Sequence, residues 1–261
     1  MDDGRRKSRH KAGISDVLIR TRPDGETLAF RRLNGSGPTV VWVGGFRSDM
    51  EGTKALALDA AARERDWNYV RYDHFAHGAS SGDWRQATIG RWAEDAVGLI
   101  DALDGPVIPV GSSMGGWVSL LLALARPDRV KGLVLVNPAQ DFSERLMWPG
   151  LSDHQRQEIL RDGETLIVEA GLGEYVLTKR FFEEARDRLL LDGSIDLSCP
   201  VHILQGREDD VVPWTHQIAL LERLSGRTDA RLDLIAGGDH RLSSEQDLSR
   251  LVEAVEVMRG Q

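Results

Sequence analysis

Two hydrophobic periods alternate along the chain. Short runs rich in apolar residues occur at Thr39–Val43, Tyr69–Tyr72, 107–110, Val130–Val136, Val201–Leu204 and Arg231–Ile235. Runs of that length, bounded by Gly, Pro or Asp, predict strands, most of them buried on both faces. Between them, helical spacing appears over Thr53–Arg65, Ile89–Leu103, Gly115 to about Ala125, Trp214–Leu224 and Leu248–Met258. In the second of these, Ile89, Trp92, Ala93, Ala96, Val97, Leu99 and Ile100 make one apolar face. Pro127 stops the third. Ahead of them all, Val17-Leu18-Ile19 and Thr27-Leu28-Ala29-Phe30 flank Pro23-Asp24-Gly25, which predicts a hairpin over 16–33. A hairpin followed by strand–helix alternation predicts the α/β class, with a mostly parallel, twisted sheet and helices on both faces. No sequence unit repeats, which excludes a solenoid.

Two features depart from this pattern. Residues 139–198 separate two sheet strands and are far longer than an ordinary crossover. They contain helical pieces at Asp153–Leu160 and Thr178–Leu190, and they carry Phe142, Leu146, Met147, Trp148, Leu151, Tyr175, Phe181 and Phe182. Such an insertion at the C-terminal edge of a sheet is expected to cap a pocket, with most of its aromatic side chains anchoring it to the body. The second feature is Pro109, which removes a ladder donor inside the run at 107–110, so pairing is expected to break locally.

A length of 261 residues suits one α/β domain, here residues 16–261 with the cap inside it. Residues 1–15 begin with Arg5, Arg6, Lys7, Arg9 and Lys11 and are expected to be a disordered basic arm. The arm has no apolar core of a secretory signal, and Asp2 and Asp3 fit a transit peptide poorly, so the expected location is cytoplasmic. The net charge of −8 argues against nucleic acid as a partner, and no apolar run is long enough for stable membrane insertion. Cys199 is the single cysteine, so no intramolecular disulfide or structural zinc site is expected, and no cofactor is called for. His74 and His77 share the loop Asp73–Ser80, but no third metal ligand is evident beside them.

The run at 107–110 leads into Gly111-Ser112-Ser113-Met114-Gly115, and a helical pattern follows at once. Glycine two residues before and two after a serine permits a tight strand-to-helix elbow that lifts the hydroxyl out of the sheet. Such a hydroxyl becomes a nucleophile only with a base in reach and an acid to orient the base, and both should follow it on loops at strand ends. After Val201–Leu204 comes Gly206-Arg207-Glu208-Asp209-Asp210-Val211-Val212-Pro213, in which Asp209 is the preferred acid at the loop apex, ahead of Asp210 and then Glu208. After Arg231–Ile235 comes Gly237-Gly238-Asp239-His240, and His240 is the expected base; His216 falls just inside a helix, where a surface role fits better. Val43-Gly44-Gly45-Phe46 ends the first parallel strand, so the N–H groups of Phe46 and Met114 form the expected oxyanion hole. Arg47 and Trp148 are candidate substrate contacts: Arg47 for a substrate carboxylate, with a surface ion pair to Asp49 as the alternative.

These motifs resemble those of the α/β hydrolases, and one branch in particular. Gly45-Phe46-Arg47-Ser48-Asp49-Met50-Glu51-Gly52-Thr53-Lys54-Ala55, Gly111–Trp117, Ala125-Arg126-Pro127 and Asp209-Asp210-Val211-Val212-Pro213-Trp214 are similar to segments of the mitochondrial palmitoyl-protein thioesterases, also known as mycophenolic acid acyl-glucuronide esterases, and their bacterial relatives. The likeness runs from about residue 39 to 258 and is weakest in the cap. It implies an α/β-hydrolase fold, with Ser113 as nucleophile, Asp209 as acid and His240 as base. It also implies hydrolysis of acyl thioesters, on small molecules or S-acylated proteins, and of activated carboxylic esters such as acyl glucuronides. A short-chain carboxylesterase would use the same groups, and a non-catalytic ligand-binding protein could keep the scaffold. Halide and epoxide hydrolases would need Asp at position 113.

Overall fold

Eight strands build one sheet: β1 (Leu18–Thr21), β2 (Thr27–Leu33), β3 (Ser36–Val43), β4 (Trp67–Tyr72), β5 (Val107–Ser112), β6 (Leu133–Val136), β7 (Val201–Gly206) and β8 (Ala230–Ile235). Their spatial order is β1-β2-β4-β3-β5-β6-β7-β8. The pairs β1–β2 and β2–β4 are antiparallel, and every later pair is parallel. The computed structural model describes residues 16–169, 173–226 and 229–260, so the basic arm of residues 1–15 lies outside the described residues.

The apolar runs read as buried strands because alternate side chains enter different cores. Val40, Trp42, Ile108, Val110, Val134, Val136 and Leu204 face Leu58 of helix α1 (Thr53–Arg65) and Leu251 and Val255 of the last helix, Glu245–Gly260. Val41, Val43, Val107, Leu133, Leu135 and Ile203 face Trp92 of α2 (Ile89–Asp101) and Trp117 and Leu120 of α3 (Met114–Ala125). Burying one such side chain contributes roughly 1.5–3 kcal/mol.

Pro109 interrupts one ladder and spares the other. On the β3 side, Pro109 pairs in register with Val41. On the β6 side, Val107 bridges Val130, and the ladder resumes at Val110 opposite Val134, one residue out of step. The N–H of Val107 donates to Arg129 O, and its carbonyl accepts from Lys131 N–H, so that residue faces β6. Pro109, two residues on, faces the same way, and the slip falls where its N–H is missing. The same slip makes β6 start at Leu133 rather than at Val130.

The cap leaves the sheet after β6. It holds a π-helical turn at Ser143–Met147, α4 (Asp153–Asp162) and α5 (Lys179–Arg186). Between these two helices, Glu164–Glu169 and Gly173–Thr178 pair as an antiparallel hairpin that the helical spacing did not predict. Helix α5 also ends short of Leu190, because the N–H groups of Leu190 and Leu191 donate to the Asp141 carboxylate, each at 2.8 Å. Hydrogen bonds from Trp84 Nε1 to Val176 O (2.8 Å) and from Trp117 Nε1 to Arg188 O (3.2 Å) hold the cap on the body.

Candidate active site

Ser113 occupies the turn between β5 and α3 with φ 54° and ψ −120°. A non-glycine residue there carries roughly 1–3 kcal/mol of strain, which the surroundings must hold. They do so with three backbone hydrogen bonds. Ser113 N–H donates to Val136 O (2.9 Å), and Ser113 O accepts from Gly116 N–H (2.8 Å) and Ala139 N–H (3.0 Å). The flanking glycines are needed for close approach: a Cβ on Gly115 would lie 2.0 Å from Val43 O, and one on Gly111 would lie 2.3 Å from Gly115 O.

The Ser113 hydroxyl lies 3.1 Å from His240 Nε2, and His240 Nδ1 lies 2.8 Å from Asp209 Oδ2. A buried carboxylate at Nδ1 fixes the proton there, leaving Nε2 free to accept from the serine. Asp209 is held from its other side, where Oδ1 accepts from Val211 N–H (2.9 Å) and Val212 N–H (2.8 Å). Its side chain is fully buried, whereas Asp210 and Glu208 are exposed. Of the three acids in this loop, the fold brings Asp209 to His240. His216 lies elsewhere, with Nε2 donating to Gln140 O at 2.7 Å.

The loop after β3 lies against the elbow, since a Cβ on Gly45 would come within 3.4 Å of Ser113 Cβ. Gly45 O accepts from the Ser48 N–H and hydroxyl at 3.2 and 3.0 Å. Among the described residues, the Phe46 and Met114 N–H groups donate to no protein acceptor. Met114 opens α3, where the helix dipole adds partial positive charge. The Phe46 ring contacts Trp84, Trp92, Phe142, Tyr175 and Phe181, with centroids 5.2–6.3 Å apart, so body and cap meet on this one residue. The Arg47 guanidinium lies 5.4 Å from the Trp84 ring and 5.1 Å from the Tyr175 ring, a cation–π stack that joins body and cap. Trp148 packs on Phe182 and Arg186 within the cap.

The alpha/beta hydrolase family matches residues 40–254. The chain belongs to the α/β-hydrolase family. It is 35% identical over 254 residues to the bovine (Bos taurus) palmitoyl-protein thioesterase ABHD10, mitochondrial, covering 96% of this chain and 81% of that protein. A crystal structure of a hydrolase from Agrobacterium vitis S4 superposes with a TM-score of 0.87 and 38% identity, over 94% of this chain and 98% of that one. Alpha/beta hydrolase domain-containing protein 10 from mouse superposes with a TM-score of 0.85 and 29% identity, over the same shares of the two chains.

In this α/β hydrolase, several residues around the site escaped the sequence reading. His74 and His77 belong to no cluster of three or more metal-ligating side chains among the described residues. They clamp the loop beside the elbow instead. His74 Nε2 donates to Gly44 O (3.2 Å), and His77 Nε2 accepts from Arg47 N–H (3.1 Å) while its Nδ1 donates to Phe75 O (2.9 Å). Burial pushes His74 down to about 3 and His77 to about 4, so both stay neutral and keep these bonds at ordinary pH. Behind Asp209, buried Gln205 donates to Gly206 O (2.9 Å) and Val212 O (3.0 Å), fixing the acid loop at both ends. The only sequence signal for these roles is a polar residue at a strand end, which many surface loops share. No helix among the described residues is long and apolar enough to cross a membrane.

Proposed function

We propose that this enzyme cleaves acyl thioesters, including S-acylated cysteine of the palmitoyl type, and activated carboxylic esters such as acyl glucuronides, through an acyl-enzyme on Ser113. The observation that carries the reading is the hydrogen-bonded chain from Ser113 through His240 to Asp209. His240 Nε2 takes the hydroxyl proton as Ser113 Oγ attacks the carbonyl carbon, and Asp209 stabilises the imidazolium that results. The N–H groups of Phe46 and Met114 receive the oxyanion, an interaction worth about 2.7–4 kcal/mol per donor in comparable sites. His240 then returns its proton as the leaving group departs, and water attacks the acyl-enzyme by the reverse path. A thiol of pKa about 8.5 leaves with little acid assistance, which suits a thioester. The bovine relative's name points the same way. Arg47 would meet a carboxylate on the substrate, and Trp148 would contact substrate from the cap. A cytoplasmic location is kept as part of the proposal, against the mitochondrial label of the relatives.

One observation favours a second reading, a short-chain carboxylesterase. The cavity lined by Phe46, Trp84, Ala87, Trp92, Val176, Leu177, Thr178 and Phe181 has a volume of about 10 Å³, room for roughly one water. A long acyl chain entering there must displace aromatic rings. Acyl-cysteine thioesters and nitrophenyl esters of graded chain length separate the two. A rise in kcat/KM well beyond a few carbons is expected for the thioesterase, whereas a plateau after a few carbons leaves only the carboxylesterase. A fluorophosphonate probe should label the wild type and not Ser113→Ala. An unlabelled wild type would leave a ligand-binding protein on a hydrolase scaffold.

A further inference from the structure

Asn137 follows β6 immediately, is fully buried, and has φ 44°, in the left-handed region. Its side-chain amide joins two loops. Nδ2 donates to Asp239 O (3.0 Å) and to His240 O (2.8 Å), and Oδ1 accepts from Gly206 N–H (2.7 Å). Gly206 ends β7 and leads into the loop that presents Asp209, and Asp239 and His240 belong to the loop that presents the base. These loops touch through bare backbone, since a Cβ on Gly206 would lie 2.5 Å from Gly238 O and 2.6 Å from Asp239 O.

The residues on either side of Asn137 grip the elbow. Val136 O accepts from Ser113 N–H, and Ala139 N–H donates to Ser113 O. The four residues 136–139 therefore hold the serine through their backbone, and the acid and base loops through one side chain. The base loop is restrained from outside as well, because the Lys54 ammonium donates to Arg241 O. Three successive carbonyls, of Asp239, His240 and Arg241, thus each accept from a side chain of another element.

We propose that Asn137 is a positioning residue, whose amide fixes the base loop against the elbow and so sets the approach of His240 Nε2 to Ser113 Oγ. The proposal rests on the Ser113–His240–Asp209 reading given above. Asn137 touches neither the His240 ring nor the serine hydroxyl among its hydrogen bonds, so its effect passes through the loop backbone. Displacing a reacting group by about 1 Å lowers rates by roughly 100-fold. The serine–imidazole contact of 3.1 Å already lies near the long end of the catalytic range, so the site has little slack.

The test is the rate constant, per reactive site, for labelling of folded protein by a fluorophosphonate. Wild type is compared with Asn137→Ala, which removes the amide, and with Asn137→Asp. The aspartate keeps the volume and the acceptor for Gly206 N–H but faces two carbonyls with an oxygen. Both variants should label at least tenfold more slowly, with kcat on a nitrophenyl ester falling about 10- to 100-fold and KM staying within about twofold. The pH dependence of labelling should shift as well, since the base is displaced. A residue that only supports the fold would lower the melting temperature and the labelled fraction but leave the rate constant alone. A rate constant within twofold of wild type in folded Asn137→Asp therefore overturns the proposal. If wild type itself is not labelled, the serine-hydrolase reading fails first, and the two failures are told apart.

Discussion

Replacing Asp209 with asparagine changes one atom and should disable the base. In the structure Oδ1 accepts from Val211 N–H and Val212 N–H at 2.9 and 2.8 Å, while Oδ2 faces His240 Nδ1 at 2.8 Å. Asparagine offers one oxygen and one NH₂ to these three donors and to Gln205 Nε2, which donates weakly to Oδ2 at 3.5 Å. Turning the NH₂ toward the loop would leave the part-buried Val211 N–H and the buried Val212 N–H unpaired, at about 1–3 kcal/mol for the buried one. The oxygen therefore stays with Val211 and Val212, and the NH₂ faces the imidazole. Nδ1 must then accept, which moves the ring proton to Nε2, opposite the Ser113 hydroxyl at 3.1 Å. A ring in that tautomer cannot take the serine proton. The same inversion in a serine protease triad lowers kcat by about 10⁴, or about 5.5 kcal/mol at 1.36 kcal/mol per factor of ten. Steady-state hydrolysis of a nitrophenyl ester measures the loss, with circular dichroism to show that the variant is folded at the assay temperature. Retention of kcat within tenfold of wild type would refute both the orientation argument and the role given to Asp209.

The elbow and its clamps make two further predictions. Gly115→Ala places a methyl 2.0 Å from Val43 O and 2.5 Å from Gly44 O, both main-chain atoms that cannot turn away. Urea unfolding should show a loss of about 1–3 kcal/mol or more, and a loss under about 0.5 kcal/mol would mean that the elbow and β3 are less tightly packed than the structure shows. His77, held down to about 4, binds no proton in the fold as pH falls from 6.5, while the unfolded chain does. Its contribution is therefore intact above pH 6.5 and is lost on acidification toward 4, at about 1.4 kcal/mol per pH unit. His77→Gln removes that dependence, so between pH 6.5 and 5 its stability should fall about 1.5 kcal/mol less than wild type does; parallel urea-midpoint curves would contradict the burial of a neutral imidazole.

The local chain chemistry carried the frame of this protein. Strands such as Thr39–Val43 and Val201–Leu204 were legible because a strand buried on both faces must be apolar throughout. The elbow was legible because only glycine fits where α3 presses on β3 and β5, and that requirement is written at Gly111 and Gly115. Pro109 announced a break in pairing, though not that β6 alone would bear it. The expected order of serine, acid and histidine along the chain rests on strand ends that open on one edge of the sheet.

Tertiary contacts decided what short-range pattern left open. The linear pattern favours Asp209 over Asp210 and Glu208 only by its place in the loop, and the contacts behind that preference are the pair of loop N–H groups and the His240 ring that meet Asp209. Helix α5 stops early because Asp141, far back in the chain, takes the N–H groups of Leu190 and Leu191. His74, His77 and Asn137 look like ordinary loop polar residues in sequence. Their roles depend on hydrogen-bond partners 30 to 103 positions away, which no periodicity encodes. The sequence by itself thus determined which residue types could do the chemistry and on which strand ends they lie. The tertiary structure decided which of them meet, because burial makes every hydrogen bond obligatory and so selects one arrangement among those the pattern allows.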